Sequence, residues 1–218
     1  MRIRYGNYAF QVRNLGPGIR SVLWVSGCSF SCPGCIGGFY HSSEETAHWE
    51  EAGKMADLFL KKGYDSEGIT ISGGEPTLQS DALTELIREI KRRKDWGVIL
   101  YSGFYMNELK ERQKTEPGLK ELLSMTDILI DGRYEREKDV GDALKGSSNQ
   151  TAWFLTERYI PFKDLYEDNR KRKIEIRFED DQVMMIGLPD EQEAQRWENI
   201  KHYLKEATDP SVRERRPV

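Results

Sequence analysis

Three cysteines, with no others in 218 residues, fall within eight positions as Cys28-Ser-Phe-Ser-Cys32-Pro-Gly-Cys35, a C-x3-C-x2-C spacing. Too few for a disulfide framework, thiols clustered in this way point to metal in a reducing compartment. A four-iron, four-sulfur cluster presents four irons, so three thiolates leave one iron open to a substrate or cofactor, by the logic of an open catalytic metal position. Gly27, Gly34, Gly37 and Gly38 let the backbone wrap closely and aim N–H groups at the sulfurs. The competing chemistry is a closed zinc site of Cys3His type, completed by His41, which would make the chain a noncatalytic binding module.

A second constellation, Ser72-Gly73-Gly74-Glu75-Pro76, follows Ile69-Thr-Ile and runs towards a helix. Adjacent glycines let a ligand approach the main chain, and Glu75 offers a carboxylate to an ammonium group. Taken without the cysteines, the same turn reads as plain architecture.

Both motifs need elements to position them. Val22 to Val25, Ile69 to Ile71, Val98 to Tyr101 and Ile128 to Ile130 are short, nearly continuous apolar runs of the kind that strands buried on both faces show. Between them, a capping-box signal at Ser42 and Glu45 precedes a helical stripe of Trp49, Ala52, Met55, Ala56 and Phe59. A second stripe holds Leu83, Leu86, Ile87 and Ile90, and two shorter helices are predicted over 105–112 and 119–123. The alternation predicts a parallel sheet covered by helices, either an open sheet or a partial barrel. After residue 155 the pattern changes. Lys173 to Phe178 and Gln182 to Ile186 read as a hairpin around Glu179-Asp180-Asp181, and Ala194, Trp197, Ile200 and Leu204 as a helix opened by Pro189 and Asp190. The segment 209–218 reads as a frayed basic end.

Composition narrows the class. Thirty-three basic against 37 acidic residues leave a net charge of −4, which removes the simple electrostatic case for nucleic-acid binding. No run approaches a membrane span, and the Met1-Arg2-Ile3-Arg4-Tyr5 start has no apolar export region, so a soluble cytoplasmic protein without a membrane partner is expected.

The cysteine and Gly-Gly-Glu motifs together resemble the radical S-adenosylmethionine superfamily. Gly16-Pro-Gly-Ile-Arg20, Cys32-Pro-Gly-Cys35, Tyr101-Ser-Gly-Phe104, Asp131-Gly-Arg133 and Gly146-Ser-Ser-Asn-Gln150, in this order, look similar to the activating enzymes of anaerobic ribonucleoside-triphosphate reductase over about residues 1–155. The resemblance implies an α/β fold, a truncated parallel β/α barrel of the radical S-adenosylmethionine type over 1–155; the β-hairpin and helix extension over 156–218 exceeds the compact form of that family. It implies that Cys28, Cys32 and Cys35 hold a 4Fe-4S cluster whose open iron is chelated by the methionine portion of S-adenosylmethionine. Ser72, Gly73, Gly74 and Glu75 then meet the amino group, and Ser102 is placed against the ribose. An Asp-x-Lys of related activators at the position of Asp131 and Arg133 gives Arg133 the methionine carboxylate and Asp131 that group or a ribose hydroxyl. An ordinary ion pair is the alternative for Arg133. Asn149 and Gln150 are read as contacts to the cofactor or an incoming glycine loop, or as a turn.

The implied reaction is reductive cleavage of the cofactor to a 5′-deoxyadenosyl radical, which removes hydrogen from a glycine of the large reductase subunit. The electron comes from a donor such as flavodoxin or ferredoxin. Another glycyl-radical enzyme or a peptide is the alternative target. Ile36-Gly37 departs from the Tyr-Asn frequent in this branch.

Overall fold

The computed structural model describes residues 1–41, 47–167, 172–179 and 182–208. The chain begins with β1 (Arg2–Val12), β2 (Arg20–Val25), β3 (His48–Glu51) and α1 (Ala52–Lys62). Next come β4 (Gly68–Gly73), α2 (Ser80–Lys91) and β5 (Gly97–Ser102), then α3 (Met106–Arg112), α4 (Pro117–Ser124), β6 (Ile128–Asp131) and β7 (Thr151–Phe154). A short α5 (Asp164–Glu167) precedes the hairpin β8 (Ile174–Glu179) and β9 (Gln182–Gly187), and α6 (Glu191–Thr208) follows.

Seven strands form one sheet in the order β3-β1-β2-β4-β5-β6-β7. The four predicted apolar runs are its parallel centre, β2-β4-β5-β6, while β1, β3 and β7 run antiparallel to their neighbours. The protein is therefore α/β with a mostly parallel central sheet. The parallel order advances one strand at a time without reversing, which under right-handed crossovers sends every connecting helix to the same face. Alternate strand residues Leu23, Ile71, Leu100 and Leu129 accordingly pack with Met55, Phe59, Leu86, Leu109 and Leu122 of α1 to α4 in one core.

The structure departs from the sequence reading at the edges. β1 carries register shifts on both sides of its centre, with Gln11 at φ 55°, so its apolar residues do not alternate and the strand leaves no period-two signature. Trp49 lies in β3, not in the helical stripe. Pairing of Arg2–Tyr5 with His48–Glu51 holds this segment extended until α1 starts at Ala52, and Trp49 is exposed beneath the Arg2 guanidinium. The Ser42–Glu45 capping box, the turn residues Asp180 and Asp181, and segment 209–218 lie outside the described residues. Helix α6 begins as read, with Asp190 and Glu193 exchanging side-chain to backbone bonds of 2.7 and 2.9 Å. Among the described residues no helix is long and apolar enough to cross a membrane.

The face of the sheet opposite the helices is covered at one end by later parts of the chain. Tyr159, Tyr166 and Leu144 pack on Ile99, Ile128 and Ile130, while Ile186 of the hairpin packs on Val12, Leu15 and Val22. Arg20 is fully buried here. It donates to the Tyr159 hydroxyl (2.5 Å), Thr70 Oγ1 (3.2 Å) and the carbonyls of Ile69 (2.5 Å) and Gly97 (3.0 Å). All these partners are neutral, and burial pulls its pKa below the ordinary arginine value while Tyr159 pushes it back up. Arg20→Ala is expected to cost about 3 kcal/mol of unfolding free energy, and Tyr159→Phe about 1 kcal/mol, in urea titrations. A wild-type curve for Arg20→Ala would show that the guanidinium stabilises nothing.

Candidate cluster and cofactor site

At the carboxyl ends of the parallel strands, β2 leads directly into the cysteine loop. Gly27 turns out of the sheet at φ 98°, and its N–H donates to the Tyr40 carbonyl (2.7 Å), while the N–H of Cys28 donates to the His41 carbonyl (3.3 Å). Residues 27–41 thus close into a loop that folds back on its own start. Inside it the N–H of Cys35 donates to the Cys32 carbonyl (3.1 Å), and that of Phe30 is aimed at Cys28 Sγ (3.4 Å). Burial pushes the Cys28 and Cys35 thiols above their ordinary values, and a backbone N–H on each, from Phe30 and Gly37, pulls back. N–H groups directed at sulfur favour thiolate and lower the cost of binding a cation there.

The Gly-Gly-Glu turn is stitched to the start of this loop. The N–H of Gly74 donates to the Val25 carbonyl and that of Glu75 to the Gly27 carbonyl, both at 2.8 Å. The contact is backbone against backbone. A Cβ on Gly73 would overlap Val25, and one on Gly74 would overlap the Gly27 carbonyl. One on Gly37 would stand 2.7 Å from the Gly73 carbonyl, which accounts for the small residue at this departure from the family pattern.

Glu75 is fully buried. Its Oε1 accepts from the N–H (2.9 Å) and hydroxyl (2.7 Å) of Thr77 and from Ser102 Oγ (3.0 Å), and its Oε2 accepts from the Gly103 N–H (2.6 Å). Each donor is neutral, and burial raises the carboxyl's pKa while the donors hold it down. Ser102 is therefore placed on Glu75.

Asp131 and Arg133 take other partners. Asp131 Oδ2 accepts from the Met106 N–H at the start of α3 (2.5 Å) and its Oδ1 from the Thr151 N–H (3.3 Å). Arg133 forks onto Glu108 at 2.8 and 3.1 Å and lies 4.6 Å from the Phe30 ring centroid. That fork holds the Glu108 carboxyl below its usual range. Phe30, from the cysteine loop, also meets Phe104 edge-on at 4.7 Å, and Arg112 lies over the Phe104 ring at 4.2 Å. The Gly-Ser-Ser-Asn-Gln stretch closes a turn on the segment after β6. Asn149 Nδ2 donates to the Arg133 carbonyl (2.8 Å) and Gln150 Nε2 to that of Gly132 (2.7 Å), and Gln150 Oε1 accepts from the Gly146 N–H (2.7 Å).

A cavity of about 740 Å³ joins these parts. Cys28, Cys32, Cys35, Ser72, Gly73, Gly74, Glu75, Ser102 and Arg133 all line it, and Asp131 does not. The volume lies in the range of cofactor sites. Sulfur donors around glycine backbone, beside a buried carboxylate with only neutral partners, suit an iron-sulfur cluster and a cationic small molecule. Among the described residues no three His, Cys, Asp or Glu side chains are gathered for a single ion, as a tetrahedral zinc site with bonds of about 2.3 Å to sulfur would require. The far wall comes from Val183 to Met185, Leu188, Trp197 and Lys201, more than 145 positions after the cysteines, and no local pattern announces it.

Comparison with known proteins adds three findings. The profile of a family described as a 4Fe-4S single cluster domain matches residues 14–153. Proteins called anaerobic ribonucleoside-triphosphate reductase-activating protein are similar over most of their length. That of Vibrio cholerae is 30% identical over 151 residues, covering 66% of this chain and 92% of its own; that of bacteriophage T4 is 29% identical over 150 residues, covering 65% and 88%. The Escherichia coli protein is 28% identical, covering 64% and 91%. Among solved structures, QueE from Escherichia coli shows a loose likeness, with a TM-score of 0.42 and 12% identity over 47% of this chain and 53% of that one.

Gly74→Ala drives a methyl group into fixed backbone and is expected to cost about 2 kcal/mol or more, whereas Gly38→Ala, where a Cβ meets nothing within 4 Å, should unfold as wild type. Thermal unfolding of both variants checks this; equal losses would mean that the turn does not depend on the close approach.

Proposed function

Because the chain belongs to the 4Fe-4S single-cluster domain family and, within the radical S-adenosylmethionine superfamily, to the activating enzymes of anaerobic ribonucleoside-triphosphate reductase, we propose that it generates a glycyl radical on that reductase's large subunit. The observation that carries this reading is the meeting of Cys28, Cys32, Cys35 and the Gly73-Gly74-Glu75 turn in one cavity. Bound there, a 4Fe-4S cluster and S-adenosylmethionine supply the electron transfer and the hydrogen-abstracting radical, chemistry that belongs to the cofactors.

The chain's own residues bind and orient. Cys28, Cys32 and Cys35 would hold three irons of the cluster, and the fourth would be left for the methionine portion. Ser72, Gly73 and Gly74 bring backbone close to its amino group, and the ammonium gives Glu75 the cation that its neutral donors do not. Ser102 holds Glu75 and, lining the same cavity, would meet the ribose. Arg133, fixed by Glu108 beside the cysteine loop, would take the methionine carboxylate, while Asp131 fixes the amino end of α3, the helix that carries Glu108. Four parallel strands with helices on one face constitute the truncated barrel, whose open side admits a protein segment. A small redox protein such as flavodoxin or ferredoxin donates the electron.

Reduced, reconstituted protein mixed with S-adenosylmethionine and a large reductase subunit should give a doublet glycyl-radical signal in electron paramagnetic resonance. Cofactor cleavage without that doublet would overturn the target and spare the radical chemistry. Cys32→Ala should lose iron and visible absorption together; a full iron complement would contradict its assignment as a ligand.

A further inference from the structure

The part of the chain beyond the family segment does not stand apart from the site. Arg172, just ahead of β8, has a side chain only 4% exposed. It forks onto Asp139 at 2.6 and 3.0 Å and also donates to the carbonyls of Asp142 (3.1 Å), Lys145 (3.2 Å), Gly146 (2.8 Å) and Pro189 (3.4 Å). One buried guanidinium therefore joins the loop that leads into Gly146-Ser-Ser-Asn-Gln150 to the residue ahead of α6. Both of those segments line the cavity over the cysteines.

The wall held in this way is apolar and continues outwards. Val183, Met184, Met185, Leu188 and Trp197 line the cavity, Met184 from the hairpin face that packs with Ile186 and Trp24 on the sheet. In the hairpin register Met185 pairs with Ile176 and Val183 with Phe178, so these four side chains share one face. Ile176 is 42% and Phe178 79% exposed. A strip of apolar side chains thus runs from the cavity lining to the surface. Glu198 and Lys201 of α6, which also line the cavity, pair with each other at 2.7 Å. A small cofactor has no use for a strip outside the cavity, whereas a peptide entering from outside follows it. Large aromatic and methionine side chains adapt to such a ligand at low entropic cost.

We propose that the β8–β9 hairpin and α6 form the wall that selects the target protein: they receive an extended segment with apolar side chains flanking its reacting residue, and Arg172 positions them. The proposal rests on the activase reading above. Trp197 and Phe178 are the contact residues; Arg172 acts through them.

The test uses the full-length reconstituted protein and a fluorescent peptide spanning the glycine-bearing C-terminal segment of an anaerobic reductase large subunit. Trp197→Ala and Phe178→Ser should each weaken binding about tenfold in anisotropy titrations, and Trp197→Phe should restore most of it. Arg172→Gln should raise KM for the large subunit about tenfold and move kcat less than about twofold. Iron content and visible absorption should match wild type throughout. Unchanged affinity in Trp197→Ala and Phe178→Ser overturns the wall and leaves the activase reading standing. Loss of iron together with affinity would make Trp197 a packing residue and also overturn it. Loss of self-association in Phe178→Ser, with peptide affinity intact, would assign the strip to a second copy of the chain. A wild-type protein that binds no such peptide and gives no glycyl radical removes the reading itself, and this proposal with it.

Discussion

The site depends on one contact between two stretches of backbone, the Gly73-Gly74 turn lying against Val25 to Gly27. Two hydrogen bonds of 2.8 Å extend the β2–β4 pairing past the last side chains of the sheet, so the start of the cysteine loop is set by the end of the neighbouring strand. The approach excludes side chains, and glycine is the residue that permits it. Glu75 then extends the registration to the next strand. It bonds to Ser102 and Gly103 at the end of β5, and its fully buried carboxylate spans three chain segments. A buried carboxylate fixed by neutral donors is also one that gains from a nearby cation, so the group that organises the turn is chemically suited to the ligand proposed for it.

Two buried arginines do for the later chain what those backbone bonds do for the motifs. Arg20 binds Tyr159 and the carbonyls of β4 and β5, and so secures residues after 155 beneath the sheet. Arg172 binds the loop before residue 146 and the residues ahead of α6, and so secures the extension over the cavity. Guanidinium suits both places because its several donors can satisfy carbonyls that diverge in direction, where an ammonium would serve fewer. The Arg20 site is buried, so each of its bonds is strong and each loss leaves an unsatisfied group.

Much of the centre of the molecule was legible in the residues. The four apolar runs are the four parallel strands, because burial on both faces leaves a local composition that needs no partner to be recognised. The cysteines and the Gly-Gly turn declare themselves through residue type and spacing. The edges were not legible. β1 is bulged and β3 is exposed, so neither has a period to detect. Arg133 shows the same limit within the site. The resemblance placed it against the cofactor and it does line the cavity, yet its bidentate partner, Glu108, belongs to α3, and the ordinary ion pair weighed against cofactor binding is present.

The amino-acid sequence alone determined the chemistry on offer: three sulfur donors, a glycine turn with a carboxylate, and the parallel strands whose ends carry them. These are properties of neighbours in the chain, set by side-chain type, backbone freedom and periodicity. Tertiary structure alone decided which donors Glu75 collects, that Asp131 serves the amino end of α3, and that Met185 and Trp197 line one cavity with the cysteines. Apart from Thr77 on Glu75, those outcomes depend on contacts between residues 25 to more than 150 positions apart, and a chain of this length offers many partners to each such group until the sheet has formed and removed all but one.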